Sequence, residues 1–137
     1  MSRIATIATA AAFAVAALVA APAPADTIAT TSAFLPVVNI DGATGTFITD
    51  VWIFNPEPNL ENDVRLYFTP AGVDGSNLPG FRIDPPLAPR ESVALKDILK
   101  NYFGKTKTFG LLEIQGEYPI MVTSNTYNVA GAIPGTY

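Results

Sequence analysis

Between residues 34 and 127 the apolar positions recur mostly at every second residue, the period of a strand whose side chains alternate between two faces. The first such run is 34–40. Its Pro36 has no N–H to give a ladder, which predicts an edge strand or a bend. Asp41-Gly42 and Thr44-Gly45 then read as a turn. Residues 46–55 put Phe47, Val51 and Ile53 on one face and Ile48, Trp52 and Phe54 on the other. A strand apolar on both faces is expected to be central and covered on both sides, with Trp52 as the core anchor.

Further along, Val64, Leu66 and Phe68 alternate with Arg65, Tyr67 and Thr69, the pattern of a half-exposed antiparallel strand. Short strands follow at 81–83 and 92–95, among Pro79-Gly80, Pro85-Pro86 and Pro89. There the period changes. Leu95, Ile98, Leu99, Tyr102 and Phe103 share one helical face, so the spacing predicts a helix over 98–103. Asp97 suits its N-cap and Gly104 the left-handed residue after its last turn. Residues 109–115 and 120–127 are two more strands, joined by Gly116-Glu117-Tyr118-Pro119 as a hairpin loop. Seven short strands and one short helix, without the alternating helices of a parallel sheet, predict an all-β fold. The expected form is an antiparallel β-sandwich of immunoglobulin- or fibronectin-like kind, with a small barrel as second choice.

The first residues change the domain limits. Arg3, an uncharged Ala-rich run and Ala21-Pro22-Ala23-Pro24-Ala25 have the three regions of a signal peptide, with cleavage expected after Ala25 or, second, after Ala23. A transmembrane anchor is the competing reading, but the run is weakly hydrophobic and no basic residues follow it. The expected organisation is a signal peptide at 1–25, a flexible leader at 26–32 and one domain at 33–137. Its location would be secreted, periplasmic or at the cell surface, with no membrane contact after cleavage. Loss of Arg3 makes the mature chain more acidic than the full chain's net −4. Such a domain repels phosphate backbones and anionic lipid, which argues against nucleic acid as a partner.

Chemistry is limited by what is missing. With no Cys there is no thiol nucleophile or disulfide, and with no His the commonest general base and transition-metal ligand are both lost. Lys96, Lys100, Lys105 and Lys107 fall on or beside a surface helix, where a desolvated catalytic amine is not expected. No cofactor or metal site is expected. Glu61-x-Asp63 and Asp74-x-Ser76-Asn77 are oxygen-rich, but neither fits a twelve-residue calcium loop. Asp50 stands inside the most apolar strand, where a carboxylate must accept hydrogen bonds, so it is expected to tie down loop N–H groups. Tyr67, Tyr118 and Tyr127 are the candidate recognition residues, because exposed Tyr can stack on sugar rings or anchor an interface.

The run Gly45-Thr46-Phe47-Ile48-Thr49-Asp50-Val51-Trp52-Ile53-Phe54-Asn55-Pro56 resembles the strand end of a poorly characterised family of secreted bacterial β-sandwich domains. Asp97-Ile98-Leu99…Phe103-Gly104, Ser124-Asn125-Thr126-Tyr127 and Gly135-Thr136-Tyr137 follow in the family's order. Asn125 departs from the pattern, where Arg is common. The last motif stops at Tyr137, so the resemblance implies the first half of a two-repeat protein. It implies fold and compartment, and no catalytic residue. The expected function is a non-enzymatic exported domain with a protein or polysaccharide partner at the cell surface, the alternative being a carbohydrate-binding accessory module.

Overall fold

The computed structural model describes residues 29–43 and 45–129, so the expected signal peptide and the final Gly-Thr-Tyr motif lie outside the described residues. In chain order the elements are β1 (Thr30–Gly42), β2 (Gly45–Phe54), β3 (Val64–Pro70), β4 (Gly80–Arg82), β5 (Ser92–Leu95), α1 (Ile98–Phe103) and β6 (Thr108–Asn128). All pairings are antiparallel, in the order β4-β3-β6-β1-β2-β5 with β6 also pairing β2, and the sheet curls into a half-barrel. Mostly antiparallel β with one short helix is what the alternation predicts.

Among the described residues the strand count is six, not seven, because the two runs expected at 109–115 and 120–127 belong to one strand. The first half of β6 lies between β1 and β3, with Leu112 opposite both Leu35 and Phe68. The second half pairs with β2, with Thr123 opposite Trp52. Residues 116–119 are thus a bend within a strand, and its two halves have different partners. Both halves meet again at the β1–β2 turn, since Asn39 faces Thr108 and Ile48, and Ile48 faces Tyr127.

Asn62, fully buried, holds the bend. Its Nδ2 donates to the carbonyls of Tyr118 (3.0 Å) and Pro119 (3.4 Å), and its Oδ1 accepts from the Tyr118 N–H at 3.1 Å. The Glu117 N–H donates to the Asp63 carbonyl at 3.0 Å beside it.

β1 begins earlier than expected. Thr30 pairs with Ile120 and Ser32 with Gln115, so the end of the expected leader is strand, because the long β6 offers it a partner. Pro36 sits where its missing donor does least harm. The Val38 N–H points away from β6 and donates to Thr49 Oγ1 at 3.0 Å, and Pro36 shares that direction. The absent N–H therefore falls on the open edge of β1, where it also interrupts the donors another strand would need.

The core fills the inside of the curl with Val51, Ile53, Leu66, Leu112, Ile114, Ile120, Ile98 and Leu99, all fully buried. α1 closes one end through the face its period predicts. Phe103 packs on Phe68 (ring centroids 5.8 Å apart), and Tyr102 meets Phe81 edge-on at 5.4 Å. Gly104 is left-handed (φ 62°), and the Lys105 N–H returns to the Leu99 carbonyl at 2.8 Å, a Schellman-type close. Trp52 is not the core anchor. Val51 and Ile53 take the inward face, which leaves Trp52 and Phe54 half-buried on the outward one, so β2 is fully covered on one side only.

Candidate functional site

Three sequence-distant segments meet at Asp50, whose residue is 1 % exposed. Its Oδ1 accepts the Asp97 N–H at 2.8 Å, and its Oδ2 accepts Lys96 Nζ at 2.9 Å and the Tyr127 hydroxyl at 3.1 Å. Asp97 is not a side-chain N-cap, as it adopts a left-handed backbone (φ 42°) and makes no capping bond. Its carboxylate instead accepts Asn39 Nδ2 at 2.7 Å, linking the turn before α1 to β1. One buried carboxylate thereby ties β2, β6 and the entry to α1, and Asp97 carries the link on to β1.

Burial pushes the Asp50 carboxyl up, but the hydrogen bonds from Lys96, the Asp97 amide and Tyr127 outweigh it, and its pKa falls below the ordinary Asp value. The bond to Asp50 raises the Lys96 pKa, and burial followed by the same carboxylate raises that of Tyr127. The trio is thus fixed as carboxylate, ammonium and neutral phenol at neutral pH. The Lys96 ammonium also lies 4.5 Å from the centroid of the Trp52 ring, a cation–π contact. With every group of the node engaged by another, its chemistry is that of a tether.

The three candidate tyrosines are not brought together. Tyr67 is on the outward face of β3 beside Gly80 of β4, its cross-strand partner, where any Cβ would meet the Tyr67 ring. Tyr118 is in the bend of β6, and Tyr127 belongs to the Asp50 node. The oxygen-rich loops are self-engaged. Asp74 accepts the Ser76 N–H (2.9 Å) and hydroxyl (2.6 Å), while Asp63 pairs with Arg82 at 2.7 Å and Arg65 at 3.8 Å. Among the described residues no three acidic side chains gather as a metal site. None of their helices is long and apolar enough to cross a membrane.

Two surface features escaped the sequence reading. On the outward face of β1 and β6, Val38 lies opposite Phe109, Pro36 opposite Leu111 and Phe34 opposite Glu113. Phe34 is 58 % exposed, Phe109 55 % and Leu111 45 %. Where β2 pairs with the second half of β6, Trp52, Phe54, Met121 and Val122, with Ser92 and Thr123, line a groove of about 220 Å³. The signal was present in residues 34–38, apolar at both parities although Pro36 marks an edge. No family model, curated protein or solved structure matches this chain.

Proposed function

We propose that the protein is a non-enzymatic exported domain that works through protein contacts at the cell surface. The observation that carries this reading is the solvent-facing apolar strip of Phe34, Pro36, Phe109 and Leu111, since exposed apolar patches of this kind mark interaction sites. The polar groups that could do chemistry are instead bound to one another around Asp50. Export rests on the signal-peptide pattern of 1–25. The curl is read as an immunoglobulin-like sandwich in which β6 serves both layers, a reading supported by the division of its partners between β1 with β3 and β2. The resemblance to secreted bacterial β-sandwich domains agrees with it, and the motifs that carry it include Asp50, Asp97 and Tyr127, three members of the node. The separation of Tyr67, Tyr118 and Tyr127 counts against a sugar-stacking platform.

Surface retention tests the reading. In cells that export the protein, the wild type is expected in the cell-surface fraction. Phe109→Ser, melting at the same temperature, is expected in the medium. Equal distribution of the two, or a rise in melting temperature with a soluble polysaccharide, would overturn the proposal.

A further inference from the structure

We infer that the partner of the apolar strip is a second copy of this chain, whose Trp52 groove receives Phe34. This rests on the interaction role proposed above and names its partner. Knob and hole are different surfaces of one molecule: Phe34 stands out from β1, and the groove is cut into the paired strands β2 and β6 around Trp52. The sizes agree, because an apolar cavity of about 150 Å³ takes a benzene ring and the groove measures about 220 Å³.

The charges agree as well. Glu113 is the cross-strand neighbour of Phe34, and Lys96 lies over Trp52 with its side chain 60 % exposed. Seating Phe34 in the groove therefore brings a carboxylate toward an ammonium. The edge of β1 favours contact by face over strand addition, since Pro36 removes a donor there.

Because knob and groove are different surfaces, the contact between them is heterologous and adds copies head to tail. It is also weak. Phe34, Phe109 and Leu111 together expose roughly 300 Å² of apolar side chain, judged from the area an aromatic buries, against about 800 Å² per partner in a standard stable interface.

Trp52 is the chain's one tryptophan and lines the groove, so its emission reports docking directly. Full-length wild type, Phe34→Ser and Thr123→Arg are compared by sedimentation and fluorescence over micromolar to millimolar concentrations. All three carry the same first 28 residues, so those cancel in the comparison. Both substitutions are at exposed sites, and urea unfolding confirms that each variant is folded. The wild type is expected to gain mass with concentration as its Trp52 emission moves to the blue, and each variant alone to stay monomeric. Mixed together, the two variants keep one intact groove and one intact knob, and are expected to form dimers and nothing larger.

A wild type that stays monomeric with constant emission overturns the inference. So do variants that associate like the wild type, and so does a mixture that fails to dimerise. Such a chain, if still held at the surface through Phe109, keeps the interaction role and has another partner.

Discussion

Removing the Asp50 carboxylate has an effect that can be worked out bond by bond. Asp50→Ala leaves the Asp97 N–H and the Tyr127 hydroxyl without their acceptor, and releases Lys96 from its partner. The lysine counts for little, because its side chain is 60 % exposed and an exposed pair contributes ~0.2–1 kcal/mol. The half-buried Asp97 amide counts for more, since a donor left unsatisfied costs ~1–3 kcal/mol, and the hydroxyl adds ~1 kcal/mol. The expected loss is about 3 kcal/mol, a large fraction of the stability of a small domain. Asp50→Asn keeps an oxygen for the Asp97 amide and turns an N–H toward Lys96, so about half that loss is expected.

Urea unfolding followed by Trp52 emission measures both variants, and repeating it at pH 3 and pH 6 separates the charge. Held below its ordinary pKa in the fold, the Asp50 carboxyl is protonated first in the unfolded chain as pH falls. Its stabilisation is complete above about pH 4 and lost as pH drops through the folded value. Asp50→Asn should therefore lose less stability between pH 6 and pH 3 than the wild type. Asp63 and Asp74, also held low by their partners, keep part of the acid loss in both proteins. An Asp50→Ala protein within 0.5 kcal/mol of wild type, or identical acid losses in wild type and Asp50→Asn, would refute the tether.

Asn62→Ala should cost about 2–4 kcal/mol, because it strips partners from one N–H and two carbonyls in the β6 bend; a urea midpoint unchanged from wild type would show that the bend needs no clamp. Gly110→Ala should cost at least about 2 kcal/mol, since its methyl would overlap the Thr69 carbonyl oxygen and push β3 off β6; faster amide exchange confined to β3 and β4 is the accompanying signature.

Where the signal was local, the sequence was readable. The helical spacing of Ile98, Leu99, Tyr102 and Phe103, with Gly104 after it, is a property of six consecutive residues, and α1 begins and ends where that spacing says. The side on which Trp52 lies was not readable. Alternation groups Ile48, Trp52 and Phe54 together, but both faces of β2 are apolar, and only the packing of β3, β6 and α1 decides which is inside. The bend in β6 was hidden for a related reason. Gly116 to Pro119 is good turn chemistry, and what prevents a hairpin is that each half finds a different neighbour, a matter of topology. The Asp50 node was legible only as one residue needing partners. Lys96, Asp97, Asn39 and Tyr127 are up to 77 positions away in the chain and give no sign of convergence.

The double duty of β6 also governs when the molecule can fold. Among the described residues β1 and β2 share only the four pairs from Asn39–Ile48 to Gly42–Gly45, and β3 has no strand neighbour but β6 and the three-residue β4. A nascent chain that has reached residue 107 holds two short hairpins and the four β2–β5 pairs, with nothing to close the core between them. Loop closure over such distances makes folding slow, and here the closing strand comes late in the chain. The polypeptide should therefore stay loose while it is being made, a form that suits the export proposed above, and become compact only after Asn128 has emerged.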